Sequence, residues 1–169
     1  MSHAKNKMDW CLKKAERELK ESGKHRGLVK TKPDLQKSKD YINKAEHYLK
    51  ATEYLKEGNF SDISASTVFY SMYHCLLAIA AKHGYESSNQ ECTFALIYSL
   101  IEDGKIDFKE ELLNRIASLN VEETDEKTTT EIREQYQYGT ELSIKDGLYK
   151  ELVKLAKEVI STTKVIIEK

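Results

Sequence analysis

The feature that most constrains the fold is the segment VFYSMYHCLLAIAA (68–81), which is apolar on nearly all sides. A helix of this kind is stable in water only when other elements cover it all round. A buried strand is the alternative, but the length of the run and the glycine that follows it, Gly84, favour a helix. The sequence therefore predicts a central helix at about residues 61–83, surrounded by the rest of the chain.

The other segments have the spacing of amphipathic helices. Apolar residues recur every three or four positions at about residues 6–21, from 33 to the Gly58-Asn59 pair, and again towards the end of the chain. The chain has one proline and seven glycines, so little interrupts long helices. We predict an all-α fold, an up-and-down antiparallel bundle of about five to six helices without a sheet.

Several helix starts are predicted from a capping residue with an acidic residue three positions later. These pairs are Thr31 with Asp34, Ser88 with Glu91, Asp107 with Glu110, and Ser143 with Asp146. The helix that opens at Asp107 is expected to end near Leu119. Residues 120–131 carry five acidic side chains and almost no apolar ones, which predicts a loop or a frayed helix end before a short helix that ends at Gly139.

A chain of 169 residues fits one domain, and no linker divides it. Within the predicted domain, residues 1–32 form an N-terminal helix and a basic loop, 33–104 a core, and 105–169 the C-terminal helices.

The three cysteines are far apart, form no C-x-x-C pair and lie in no cluster with zinc-ligand spacing. We therefore expect no metal and no cofactor. A reduced cytoplasm is the expected location, because the N-terminal residues have no apolar signal-peptide core and no apolar run approaches the length of a membrane span.

Charge is distributed unevenly along the chain. Residues 1–60 contain 15 Lys and Arg against 9 Asp and Glu, whereas residues 61–169 contain 12 against 19. The densest basic stretch, 24–39, includes Lys24, Arg26, Lys30 and Lys32. Such a patch attracts phosphates, including those of nucleic acid. A solvated surface of a lysine-rich protein is the alternative interpretation.

The segment 44–86 (KAEHYLKATEYLKEGNFSDISASTVFYSMYHCLLAIAAKHGYE) resembles the HEPN domain, a helical module named for nucleotide binding in higher eukaryotes and prokaryotes. In the first helix of the family pattern the matching residues are Ala45, Glu46, Leu49, Ala51 and Leu55. In the second helix they are Phe69, Tyr70, Met72, Tyr73 and His74. The tract NQECTFALI (89–97) also resembles one prokaryotic subgroup.

Many proteins that this segment resembles are metal-independent ribonucleases or toxins, in which four to six residues separate an Arg from a following His. The His moves a proton, and the Arg stabilises charge on the phosphate. Here the permitted positions before His74 are Thr67, Val68 and Phe69, none of which is cationic. A second family pattern, Arg-x4-His-x-Tyr, is approached at Arg133, but Tyr138 replaces its His.

The resemblance therefore implies a HEPN module without the catalytic pair, which pairs with a second copy and binds a nucleotide, an RNA or a protein. A nucleotidyltransferase-type partner in a toxin–antitoxin or defence setting is one such protein. The alternative is a ribonuclease that uses His74, the only catalytic candidate, with a cation from another helix or subunit, such as Arg133 or Arg26. The candidate ligand-binding residues are Thr67, Tyr70, Tyr73, His74, Arg133, Tyr136 and Tyr138. For most of these residues, packing in the helical core is the alternative role.

Overall fold

The fold is described from a computed structural model, which describes residues 2–117 and 127–169. Within these residues the chain forms seven α-helices and two short strands. The elements are α1 (His3–Ser22), β1 (Leu28–Lys30), α2 (Leu35–Glu57), α3 (Ser61–Lys82), β2 (Tyr85–Ser87), α4 (Gln90–Glu102), α5 (Glu110–Ile116), α6 (Thr129–Tyr138) and α7 (Asp146–Glu168). The prediction of an all-α helical fold is confirmed.

The helix α3 is the centre of the bundle, as its composition predicts. It packs against α2, α4, α6 and α7, and α1 lies outside it against α4. Its large apolar side chains, such as Phe69, Met72 and Leu76, have no exposed surface. Because its neighbours cover it on several sides, their own outer faces can stay polar.

The helices α2 and α3 approach each other closely because small residues line both sides of their contact. The two helices are antiparallel, and residues seven positions apart on α2 face residues seven positions apart on α3. The residues that face each other are Ser38 and Ala78, Ala45 and Ser71, and Thr52 and Ser64, all with no exposed surface. Seven residues are two helical turns, so these positions share one face of each helix.

Hydroxyl groups join the two backbones along this contact, which we call the α2–α3 seam. The Ser38 hydroxyl donates to the Ala78 carbonyl at 2.6 Å. The Ser71 hydroxyl donates to the Ala45 carbonyl at 2.8 Å, and the Ser64 hydroxyl to the Thr52 carbonyl at 3.1 Å. Each bond satisfies a buried hydroxyl that would otherwise cost free energy.

The prediction that the chain has no sheet is wrong in one small region. The strands β1 and β2 pair antiparallel, with Leu28 opposite Ser87. The ladder continues from Thr31 N–H to the Gly84 carbonyl at 2.8 Å. A side chain at Gly84, whose φ is +75°, would lie 2.9 Å from the Thr31 carbonyl oxygen, so this close approach needs glycine.

Several predicted helix starts are displaced by a few residues. Asp34, not Thr31, caps α2 by accepting the Lys37 N–H, and Asn89 caps α4 in the same way. No side-chain hydrogen bond caps α7, whose Asp146 pairs instead with Lys56. Thr128 and Glu131 form a capping box that starts α6. The predicted helix end near Leu119 and most of the predicted acidic loop lie outside the described residues.

The expectation that no apolar run approaches a membrane span needs correction. The helix α3 is long and apolar enough to cross a membrane, since its best 18-residue window has a mean hydropathy of 1.4. In the structure 67% of that window is buried within the bundle, as in the core helix of a globular domain.

Two of the three cysteines are joined, which their sequence spacing did not predict. Cys11 of α1 and Cys92 of α4 form a disulfide across 81 residues of sequence. Both are buried, and the bond lies where α1 packs on α4. Cys75 is free and buried in α3, where burial raises the pKa of its thiol to about 12.

We expect a larger residue in the α2–α3 seam to destabilise the fold. Ala45→Leu should lower the free energy of unfolding by about 1–3 kcal/mol, because the added atoms force the two backbones apart. The matched control is Ala51→Leu, since Ala51 lies on α2 but is half-exposed. Denaturant titration followed by circular dichroism measures both, and equal losses in the two variants would contradict a close seam.

The disulfide predicts a count of reactive thiols. The oxidised protein, unfolded in denaturant, should react with one equivalent of a thiol reagent, at Cys75, and the reduced protein with three. A Cys75→Ser variant should give none before reduction and two after it. Three reactive thiols in protein purified without reductant would show that Cys11 and Cys92 do not pair.

Candidate functional site

The α2–α3 seam places four aromatic rings side by side on one surface. Tyr41 and Tyr48 lie seven residues apart on α2, and Tyr70 and His74 lie one turn apart on α3. All four side chains are half-buried, so each ring has one covered side and one part open to solvent. We call these four residues the aromatic–histidine surface.

The rings contact one another across the two helices. The His74 imidazole stacks on Tyr48, with 5.1 Å between ring centroids and 22° between planes. Tyr41 lies 6.0 Å from His74, and Tyr70 lies 5.8 Å from Tyr48, both tilted. The exposed Lys44 places its Nζ 5.4 Å from the centroid of Tyr48. The surface therefore combines π faces with one cation.

A backbone hydrogen bond sets the tautomer of His74. The Nδ1 atom lies 2.6 Å from the Tyr70 carbonyl oxygen. A carbonyl only accepts, so Nδ1 carries the proton and the neutral ring keeps its lone pair on Nε2. Nε2 has no hydrogen-bond partner among the described residues. It is also not buried, and it therefore faces solvent. His74 can thus accept a proton or a hydrogen bond from a ligand.

The environment of His74 favours the neutral ring. Burial lowers the pKa of His74 below its usual 6.5, the hydrogen bond to Tyr70 opposes this, and the charge of Lys44 lowers the pKa further. Lys44 is thus close enough to act on the imidazole electrostatically, although the sequence analysis did not single it out.

The predicted residue Thr67 lies in the helix contact. Its Oγ1 is 2.7 Å from Thr52 Oγ1 and 3.2 Å from the Ser64 carbonyl. The Thr52 hydroxyl also has the Tyr48 carbonyl as an acceptor at 2.9 Å, and the Thr67 hydroxyl has the Ser64 carbonyl, so either hydroxyl can donate within the pair. The hydrogen bond between the two threonines stabilises the packing of α2 on α3.

Tyr73 is separated from His74 although the two are neighbours in sequence. The residue is 8% exposed, and its ring stacks on Phe69 with centroids 5.9 Å apart. Its hydroxyl lies 3.0 Å from Thr93 Oγ1 on α4, and burial raises its pKa. The structure places Tyr73 in the core between α3 and α4.

Arg133 of α6 lies against the residue five positions before His74. Its guanidinium carbon is 4.7 Å from the centroid of the fully buried Phe69, and the side chain is itself 9% exposed. One of its terminal nitrogens donates to Glu134 at 3.2 Å, and its Nε has no partner among the described residues. This cation is therefore part of the core.

The remaining predicted residues lie elsewhere on the molecule. Tyr136 is half-buried in a groove between α6 and α7, and Tyr138 is exposed at the end of α6. The basic residues Lys24, Arg26, Lys30 and Lys32 are exposed in the loop after α1, in β1 and just beyond it. The predicted site residues thus form several groups, of which Tyr70 and His74 belong to the aromatic–histidine surface.

Sequence reasoning missed Tyr41, Lys44 and Tyr48 as site residues. Their signal was present, because Tyr41 and Tyr48 flank the apolar stripe of α2 at a spacing of two turns. Among the described residues no group of three or more His, Cys, Asp or Glu side chains could hold a metal ion.

The lowered pKa of His74 makes stability depend on pH. As the pH falls below 6.5, His74 takes up a proton more readily in the unfolded state than in the folded state. The free energy of unfolding is therefore highest above pH 6.5 and decreases as the pH falls below that value. His74→Asn should reduce this loss; His83, whose pKa burial also lowers, accounts for a further part.

Lys44→Ala should raise the His74 pKa measured by NMR titration. A His74 pKa at or above 6.5 in the wild type would contradict this account.

Two comparisons with known proteins bear on identity. A sequence model of the HEPN domain matches residues 38–166, more than half of the chain, and this range contains the aromatic–histidine surface. A search of curated proteins found no match to the chain. The matched range runs from the first residue of the α2–α3 seam to the last turn of α7. The chain belongs to the HEPN domain family.

Proposed function

We propose that this HEPN protein binds single-stranded RNA without cleaving it. The observation that carries this proposal is the aromatic–histidine surface, in which four half-exposed rings lie beside one another and a lysine lies over one of them. Unpaired bases stack on such rings, and each stacked base contributes about 1–3 kcal/mol. Lys44 is placed to contact a phosphate.

The positions that would supply a catalytic cation support binding over cleavage. The Thr67 hydroxyl is hydrogen-bonded within the helix contact, and Val68 and Phe69 are buried. Arg133 is packed on Phe69, is 8% exposed and donates to Glu134, so little of this cation is open to an RNA strand. Removing one stabilising donor from an active site commonly costs about 2.7–4 kcal/mol of transition-state stabilisation.

A metal-independent ribonuclease is the second candidate, and one observation favours it. Lys44 acts electrostatically on His74 from the neighbouring helix, and the unprotonated Nε2 of His74 faces solvent. A lysine is a point charge on a flexible stem and lacks the two parallel donors of an arginine. For that reason we place cleavage second.

RNA cleavage separates the two candidates. We expect the wild type to retain a labelled single-stranded RNA but to cut little or none of it. Thr67→Arg restores a cation at the family spacing and should gain cleavage if the strand is correctly placed. Cutting by the wild type that is lost in both His74→Ala and Lys44→Ala would instead establish the second candidate.

Binding is tested separately from cutting. Tyr48→Ala removes the ring on which His74 stacks and should weaken RNA affinity by about fivefold or more, as expected for the loss of one stacked base. Tyr54→Ala removes an exposed ring of α2 outside the aromatic–histidine surface and serves as the control. Equal affinity of the wild type and Tyr48→Ala would remove the aromatic–histidine surface from the proposal.

We also propose that two copies of the chain associate beside this surface. Phe60 and Ile63, at the start of α3, are 55% and 47% exposed although both are large and apolar. A two-fold contact would cover both residues in each copy and bring the two α3 helices together. The family resemblance implies the same arrangement.

The dimer is tested by light scattering at micromolar concentration. The wild type should have twice the mass of the 19.5 kDa chain, and Ile63→Glu should shift it towards the monomer because a charge would be buried in the contact. Leu142→Glu, at another exposed apolar residue, is the control. A wild-type monomer would contradict the contact. A nucleotidyltransferase-type partner and a cytoplasmic location stay predictions, although a disulfide such as Cys11–Cys92 is rare in a reduced cytoplasm.

A further inference from the structure

The one tryptophan of the chain lies exposed on the helix that precedes the family match. Trp10 of α1 is 48% exposed. Lys7 and Lys14, three residues before and four after it, share its face of the helix and place their Nζ atoms 5.0 and 5.1 Å from the indole ring. An exposed indole between two lysines combines a stacking face with two phosphate contacts.

A groove extends from Trp10 and Lys14 on α1 to the start of α4. It has a volume of about 380 Å³ and is lined by Trp10, Lys14, Arg26, Asn89 and Gln90, among others. Glu18 accepts the backbone N–H of Arg26 at 2.8 Å. This bond holds the basic segment, residues 24–32, beside α1. The groove thus holds an aromatic ring, two cations, two side-chain amides and the carboxylate of Glu91.

Two features keep this surface in place. Gly27 lies so close to α1 that a side chain there would be 3.3 Å from the Cys11 carbonyl, which brings Arg26 against the helix. The disulfide between Cys11 and Cys92 joins the residue after Trp10 to α4. Trp10 therefore has a fixed position relative to the groove.

The charge of the protein is concentrated in this same region. Residues 1–37, outside the family match, contain 11 Lys and Arg against 5 Asp and Glu, a net charge of +6. Residues 38–169 contain 16 against 23, a net charge of −7. A polyanion is thus attracted more strongly to the N-terminal region than to the rest of the chain, where Lys44 is the cation beside the aromatic–histidine surface.

Acidic residues on this surface pair only weakly with its cations. Glu91 lies 2.8 Å from Lys7, and Glu18 lies 4.0 Å from Lys14. Both pairs are open to solvent, and such pairs contribute at most about 1 kcal/mol. A phosphate can therefore compete with Glu91 for Lys7 and with Glu18 for Lys14, while Glu18 keeps its bond to the Arg26 N–H.

We propose that the α1–α4 surface of Trp10, Lys7, Lys14 and Arg26 is a binding site for single-stranded RNA, with a base stacked on Trp10 and phosphates at the three cations. This proposal rests on the proposed RNA-binding function and adds a second contact region to it. Exposed Lys24, Lys30 and Lys32 extend the site along the basic segment.

The single tryptophan allows a direct test in the full-length protein, with a 12-nucleotide oligouridine as the probe. Stacking on Trp10 should quench its fluorescence, and the quenching should weaken as salt rises. Fluorescence anisotropy of a labelled oligouridine measures affinity in the variants. We expect Trp10→Ala to weaken binding about tenfold, and Arg26→Ala to weaken it and reduce the salt dependence by about one phosphate contact.

Two exposed residues elsewhere provide matched controls: Tyr54→Ala for the aromatic change and Lys154→Ala for the charge change. Both should bind as the wild type does, and circular dichroism verifies that each variant is folded. Unchanged affinity in Trp10→Ala, or unchanged wild-type fluorescence at saturating RNA, would overturn the α1–α4 site. If RNA still binds in that case and Tyr48→Ala weakens it, the proposed function stands. If neither the wild type nor any variant binds RNA, both the α1–α4 site and the proposed function are wrong.

Discussion

The hydroxyl–carbonyl bonds of the α2–α3 seam are the interaction on which the other features depend. Ser38, Ser64 and Ser71 each donate to a carbonyl of the opposite helix, so small side chains fill the contact and the backbones lie close together. Larger residues then project on either side of the seam. One side holds the tyrosines and His74, and the other faces α7. A wider spacing of the helices would separate the rings of Tyr48 and His74.

Much of the fold could be predicted from sequence because helical periodicity and composition are local signals. The apolar run of α3 and the end of α2 at Gly58-Asn59 were both readable in this way. The strands β1 and β2 could not be predicted, because each has only three residues and they pair across more than 50 positions. The pairing of Cys11 with Cys92 depends in the same way on how α1 packs against α4.

The candidate site was only partly predictable, for a different physical reason. Residue type and spacing identified His74 and Tyr70, and they excluded an Arg at the family position. They could not show that Tyr73 faces α4 or that Arg133 packs on Phe69, because neighbours in sequence lie on different faces of a helix. Lys44 and Tyr48 became site residues only through the orientation of α2 on α3.

The order of the packed elements along the chain has a consequence for folding during synthesis. Only three residues, 58–60, connect α2 to α3, so this hairpin closes with little loss of chain entropy and can form as soon as both helices have been made. In contrast, α1 packs on α4, whose first residue follows the end of α1 by 68 positions. Although α1 leaves the ribosome before α2 and α3, it therefore docks after these two helices have been made. Until α4 is complete, the basic helix stays undocked, and Cys11 has no thiol with which to pair.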